Sequence, residues 1–389
     1  MAGTASPAQD DALATETSSL RAWAINDALA LWSTEGFDRD NERFEERLTL
    51  QGQRIEAVPI RLMTQARQIY SYSVAARHGW HPAAYDLVEK AFRSMVRDFH
   101  RRDGDDGWVF SIARDGRVID ATRDLYAHDF VLLAVASYVG ATGDRSALTL
   151  ADDTLAFIDT NLSAKVGGYY DSVPQRDNLR RQNPHMHLFE GLLSLWSCTG
   201  EQRYLARADK VFELFAASFY RAAPGVLGEY FDRALAPAAG IAGQIVEPGH
   251  HYEWVWLLRW FERASGQRVQ AYVDALYGHA DTFGFDDDGL IVDELLADGT
   301  PYTRSRRVWP MTEAIKANVV EAAIGRAEAS RKAARLARLL QERFLDSARA
   351  GGWVDRLDEH GRVATDFMPA STLYHIVCAL AELSLADSR

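Results

Sequence analysis

Apolar positions recur at helical spacing along much of this chain, and four stretches read as helices with a buried stripe: Asp129 to Val139, His187 to Trp196, Trp254 to Phe261 and Leu373 to Leu383. Strand-like segments are confined to a short recurring motif, a glycine followed by aromatic or aliphatic residues and usually an acid. Its copies are Gly107-Trp108-Val109-Phe110, Gly168-Tyr169-Tyr170-Asp171, Gly228-Glu229-Tyr230-Phe231-Asp232, Gly289-Leu290-Ile291-Val292-Asp293 and Gly352-Trp353-Val354-Asp355. The glycines stand 61, 60, 61 and 63 residues apart. A period of about sixty residues holds two helices and two connections, so each unit is a helical hairpin that needs its neighbours to cover its apolar face.

One period upstream of Gly107 reaches the region of Gly52, so the chain from about Ala22 to Arg389 accommodates roughly six units. Six hairpins can close into a ring. The expected fold is all-α, an (α/α)6 barrel with short β-like hairpin loops, as one catalytic domain over residues 19–389; an open helical solenoid is the competing arrangement. Residues 1–18 are small, polar and acidic, and are expected to form a disordered tail. They lack the basic start and apolar stretch of a secretory signal, and no later apolar run is expected to approach membrane-spanning length.

Charge and cysteine content narrow the partners. The 55 acids against 43 bases give a formal charge of −12, which disfavours a partner bound through its phosphates, so no nucleic acid is expected. Only Cys198 and Cys378 occur, both in helix-like apolar contexts, which fits a reducing cytoplasm and neither a disulfide framework nor a zinc cluster. The chain is expected to act on a small molecule, away from membranes, as a monomer or homodimer.

Residues of unusual chemistry fall in phase with the repeat. Tyr126 follows its motif glycine by 19 residues, His187 by 19, His250 by 22, Trp309 by 20 and His375 by 23, and Arg67 holds the matching place in the first, degenerate unit. All belong near the start of an inner helix, on one rim, together with Glu190, Glu253 and Glu313. Such convergence is the usual signature of an active site.

Within the rim, Asn183 before Pro184 reads as a helix N-cap. His187 shares a face with Glu190 and is expected to point inward, while His185 is expected to be structural. His250 and Glu253 stand three apart, so the carboxylate can orient the imidazole and raise its pKa. His375 is a polar residue on an otherwise apolar helix, and its phase with His250 marks it for chemistry. No metal is expected. The spacing of His185, His187, His250 and Glu253 matches no compact zinc motif, and two histidines two apart on a helix turn about 200° from each other. No Gly-x-Ser-x-Gly nucleophile motif occurs either.

Three blocks, Arg181-Gln182-Asn183-Pro184-His185-Met186-His187-Leu188-Phe189-Glu190, Pro248-Gly249-His250-His251-Tyr252-Glu253-Trp254 and Trp309-Pro310-Met311-Thr312-Glu313-Ala314, make the chain resemble the N-acylglucosamine 2-epimerase superfamily, which includes mannose isomerases and cellobiose 2-epimerases. The resemblance implies an (α/α)6 barrel and cofactor-free, metal-independent proton transfer through a cis-enediol. It places His250 and His375 as the acid and base pair, the C-terminal one taking the C2 proton and the other assisting ring opening and oxygen-bound protons. It also implies that Arg67, Tyr126, Asn183, His187, Glu253 and Trp309 contact substrate, with Glu190 and Glu313 in support. One departure is that Ala234 to Glu247 contains no arginine where some relatives carry one.

A base at C2 and charge stabilisation at O1 and O2 are what abstraction of a proton beside an aldehyde requires. Arg67 can hold enediolate oxygens, Tyr126 and Asn183 can fix hydroxyls, and Trp309 can cover a sugar face. The Ser371-Thr372-Leu373-Tyr374-His375 context resembles the mannose isomerase branch, so the expected reaction is interconversion of D-mannose and D-fructose, with D-lyxose and D-xylulose as further substrates. A sugar 2-epimerase is the alternative. Arg304, Arg306 and Arg307 could hold a sugar phosphate, although a solvated basic loop is the simpler expectation. A glycoside hydrolase using Glu190, Glu253 or Glu313, or a non-catalytic sugar-binding protein, completes the range.

Overall fold

The computed structural model describes residues 7–346 and 349–386. The chain opens with α1 (Pro7–Trp23), a π-helical turn (Ala24–Ala28) and α2 (Leu29–Thr34). Five hairpins follow: α3 (Leu62–His78) with α4 (Ala84–Phe99), α5 (Leu125–Thr142) with α6 (Leu148–Phe157), α7 (Gln182–Thr199) with α8 (Gln202–Leu214), α9 (Pro248–Ser265) with α10 (Gln270–Phe283), and α11 (Val308–Ala323) with α12 (Ala329–Leu340). The last helix is α13 (Thr372–Ala386).

Helices α3, α5, α7, α9, α11 and α13 pack in sequence, and α13 returns to α3, so the inner layer is a closed ring. Closure removes the open ends of a solenoid and leaves a cavity at the ring's centre. Inner helices touch protein on both sides and are buried nearly all round, polar residues included. On α5 every residue from Ala127 to Val139 is buried. That helix is long and apolar enough to cross a membrane by length and composition, contrary to the expectation that no such run exists, but 78% of the window is buried within the ring, where neighbouring helices answer its apolarity.

The outer helices carry a polar face to solvent. Several of them end in a π-helical turn, at Ile158–Leu162, Phe215–Phe219 and Gln341–Leu345. The outer partner of α13 comes from the other end of the chain: α1 packs on α12 and α13, with Leu13, Thr17 and Leu20 buried. Residues 7–18 are therefore part of this helix and not the expected loose tail. Residues 1–6 lie outside the described part.

Two- and three-stranded antiparallel ribbons join each unit to the next along one rim. Ile60–Arg61 pairs with Ser111–Ile112, Arg123–Asp124 with Ser172–Val173, Arg180–Arg181 with Tyr230–Phe231, Ile245–Val246 with Leu295–Leu296, and Arg306–Arg307 with Arg356–Leu357. Phe367–Pro369 pairs with Arg47–Thr49 and closes the circle. In the first five pairs a strand just before an inner helix meets residues within or just after the next glycine motif, which helps fix where those helices begin.

Buried histidines tie these motifs to the helices. His185 Nε2 accepts the Tyr169 N–H at 3.0 Å while its Nδ1 faces the Arg181 carbonyl one turn back. His128 makes the same pair of contacts with Trp108 and Asp124, and His251 accepts from Leu227. Gly168 has a positive φ of 59°, and a Cβ there would lie 2.7 Å from His185 Nε2, so the histidine and the glycine require each other.

Candidate active site

The in-phase positions all lie in the first turns of inner helices. Arg67 is on α3, Tyr126 on α5, Asn183 and His187 on α7, His250 and Glu253 on α9, Trp309 on α11 and His375 on α13. These eight side chains line one cavity of about 220 Å³, joined there by Glu247, Arg307, Asp355, Ser371 and Thr372. Tyr126 and Asn183 also border an adjoining cleft of about 420 Å³ walled by Arg61, Phe110, Tyr170 and Arg176. Glu190 and Glu313 stand behind the cavity, each against a histidine.

His375 and His250 flank Trp309, whose ring centroid lies 5.9 Å from one imidazole and 4.9 Å from the other. The indole can come this near because residue 249 is glycine: a Cβ there would meet Trp309 at 2.5 Å.

The two imidazoles have opposite electrostatic surroundings. His250 Nδ1 lies 3.1 Å from Glu229 Oε2 and 3.9 Å from Glu247 Oε1. Gln182 Nε2 donates to the same Glu229 oxygen at 2.9 Å, and its Oε1 accepts from Trp254 Nε1 at 2.8 Å, which fixes the amide orientation. Burial works against the charged form, but Glu229 and Glu247 overcome it and raise His250 to about 10. It is a cation at neutral pH.

His375 is held the other way. Its Nδ1 lies 2.8 Å from Glu313 Oε1, while the other Glu313 oxygen pairs with Lys316 Nζ at 2.6 Å. Burial, then the cations Arg67 and Lys316, push His375 well below the ordinary histidine value. The resulting imidazole is neutral, with Nδ1–H donated to Glu313 and the Nε2 lone pair without a hydrogen-bond partner among the described residues.

The remaining wall is polar and partly unpartnered. Arg67 donates to the Tyr126 hydroxyl at 2.5 Å and stacks over Phe130 and Tyr374. His187 Nδ1 faces Glu190 Oε2 at 3.0 Å, and the Tyr374 hydroxyl donates to the other Glu190 oxygen. Burial lowers His187 to about 4, against the pull of Glu190, so this imidazole is neutral. Burial and the nearby Glu313 raise Glu253 well above the usual carboxylate range, making it a protonated acid. Glu253 Oε1, Asn183 Oδ1 and Arg67 Nε are buried without a hydrogen-bond partner among the described residues, and a polyhydroxylated ligand would satisfy them.

Several local expectations change. Asn183 lies inside α7, whose N-cap is Arg181, because the strand at Arg180–Arg181 starts the helix earlier than Pro184 suggests. Glu253 is not the carboxylate that bonds His250; Glu229 is. That residue sits in the repeated motif, at Gly228-Glu229, and its acid one step after the glycine was the available signal. Gln182, Glu247, Asp355 and Lys316 also went unnoticed. Arg304, Arg306 and Arg307 do not form one basic loop: Arg304 is exposed, Arg306 is buried against Asp286, and Arg307 reaches the cavity while paired with Asp293 and Glu247. Two groups could geometrically hold an ion, His187 with Glu190 and Glu253, and Glu229 with Glu247 and His250. His185 belongs to neither.

The sequence profile described as N-acylglucosamine 2-epimerase (GlcNAc 2-epimerase) matches residues 43–379. The chain belongs to the N-acylglucosamine 2-epimerase family. It is 34% identical to the mannose-6-phosphate isomerase of Rhizobium meliloti, over 94% of this chain and 95% of that one. It is 30% identical to the D-mannose isomerase of Thermobifida fusca, over 61% and 63% of the two chains. The cellobiose 2-epimerase of Spirochaeta thermophila superposes with a TM-score of 0.84 at 23% identity, over 97% of this chain and 98% of that structure. The fold is thus the (α/α)6 barrel of this family, and the chain is an enzyme of its isomerase and epimerase group acting on a sugar.

Proposed function

We propose that the enzyme interconverts D-mannose and D-fructose by metal-independent proton transfer through a cis-enediolate, with His375 as base and His250 as acid. The observation that carries this is the placement of two imidazoles on one cavity, both against Trp309, one held by Glu229 and the other by Glu313 beside Lys316, surroundings that favour the charged form of His250 and the neutral form of His375. His375 Nε2 takes the proton from C2 of the open-chain aldose, and the C2–H electrons form the C1=C2 bond as the carbonyl pair moves onto O1. His250 protonates O1, with Arg67 beside the developing charge. His375 then returns its proton to C1 while the O2 proton passes to His250, leaving the C2 ketone and both histidines as they began.

Donors and acceptors without partners suit hydroxyl groups, and the indole of Trp309 suits a sugar's apolar face. A neutral sugar fits better than a phosphorylated one. Arg307 is already engaged by Asp293 and Glu247, and Asp355 and Glu247 line the same end, so a phosphate dianion would face carboxylates. A 2-epimerase is the second reading, supported by the proton that His250 carries: delivered to the opposite face of C2, it would give glucose instead of fructose. Product analysis after incubation with mannose, and separately with mannose 6-phosphate, tests the proposal. Fructose from mannose, with kcat/KM well above that for the phosphate, is expected; glucose as the main product, or a preference for the phosphate, would overturn it.

A further inference from the structure

Beneath the cavity lies a charge that no step above uses. Lys316 is fully buried on α11, one turn after Glu313, and does not line the cavity. Its Nζ pairs with Glu313 at 2.6 Å, sits 3.6 Å from the Trp256 ring centroid and is 3.6 Å from Cys378 Sγ. Burying an ammonium at this depth is costly even when it is paired, and an apolar side chain would fill the space more cheaply, so a buried lysine here calls for a reason beyond packing.

Its neighbours supply one. Buried acidic groups of four helices favour the charged form of Lys316: Cys378 of α13 and Glu313 of α11 in contact with it, and Glu253 of α9 and Glu190 of α7 by their charge. Burial alone would leave all three carboxyls protonated. Ionised Glu313 is the stronger acceptor for the Nδ1–H of His375; burial raises Glu313, and the ammonium paired with its far oxygen opposes burial and favours the carboxylate. Lys316 also acts on the imidazole directly, alongside Arg67 of α3, with Glu190 of α7 opposing them; His187 of α7 joins the cations only once it is protonated.

Resting on the proton-transfer reading above, we infer that Lys316 is a positioning residue: bonded to Glu313, it fixes His375 in the tautomer and charge state whose Nε2 lone pair faces the substrate. Without the ammonium, Glu313 and His375 together hold one more proton at neutral pH, shared between carboxyl and imidazole, and the base is lost.

The test is a titration of 15N-histidine-labelled protein by NMR, with the His375 signal assigned through His375→Gln, in wild type, Lys316→Met and Lys316→Arg. In wild type the His375 resonances are expected to stay those of a neutral Nδ1–H imidazole down to below pH 6. In Lys316→Met the titration, and with it the acidic limb of the kcat/KM profile, is expected to move up by about one pH unit or more; Lys316→Arg, which keeps the charge, is expected to restore much of the wild-type behaviour. An unmoved His375 titration in Lys316→Met overturns the inference. If that variant does not fold, the wild-type signal decides: an Nε2–H tautomer, or titration at or above the ordinary histidine value, overturns it equally. Absence of turnover on any aldose alongside the expected titration defeats the isomerase reading and leaves this one standing.

Discussion

His375 Nδ1 lies 2.8 Å from Glu313 Oε1, so the last inner helix and its predecessor are joined by a bond that leaves one imidazole nitrogen free for substrate. Replacing Glu313 with Gln keeps the shape but offers an amide that can donate as well as accept, which releases the tautomer. The expected outcome is a loss in kcat of about 100-fold with KM changed little, read from initial rates of ketose formation.

The opposite electrostatics of His250 make the alkaline side of the pH profile diagnostic. Glu229 and Glu247 hold its pKa up to about 10, so an acid working from this residue keeps its proton well into alkaline solution. Removing the closer carboxylate, Glu229→Gln, lowers the folded-state value. The alkaline limb of the kcat profile is expected to move toward neutrality, while the acidic limb, set by His375, stays in place.

Gly249 is expected to tolerate no side chain. A Cβ would meet Trp309 at 2.5 Å, and the indole is what both imidazoles rest against. Gly249→Ala is expected to reduce kcat/KM by about 10-fold or more while circular dichroism and thermal midpoint change little, since helix α9 itself accepts alanine.

Stability is expected to fall as the pH drops below the ordinary histidine value. His128 and His185 are buried as neutral imidazoles, each lowered to about 4 by burial. Their folded values lie below the unfolded one, so the unfolded chain takes up protons first as pH falls from 6.5 toward 4. Their full contribution is present above pH 6.5 and is lost across that window, by up to about 3 kcal/mol each. Denaturant melts at pH 7 and pH 5 measure the difference, and His185→Gln is expected to flatten it.

Much of this site was legible in the sequence because the repeat turns position into geometry. Once the glycines are aligned, Arg67, Tyr126, His187, His250, Trp309 and His375 fall at the starts of inner helices, and a closed ring of such helices leaves them one cavity to face. Contacts between units were not legible. Sequence spacing favoured Glu253 as the partner of His250, three residues away, but the bond goes to Glu229 on the preceding motif, where an acid one step after the glycine is the one sign of it. Lys316 carries no motif and shows itself only by its burial. The N-terminal helix was missed for another reason: its inward stripe runs Leu13, Thr17, Leu20, and a threonine at the middle position conceals the helical period.

The most direct test of the account follows the C2 proton itself. Chelator-treated enzyme is incubated with mannose in deuterated water and the products are followed by proton NMR, for wild type, His375→Ala and His250→Ala. The account expects fructose carrying deuterium at C1 from wild type, no exchange at C2 in His375→Ala, and turnover at least about 1,000-fold down in His250→Ala. Full exchange in His375→Ala, or wild-type activity that disappears with the chelator and returns with a divalent metal, would contradict it.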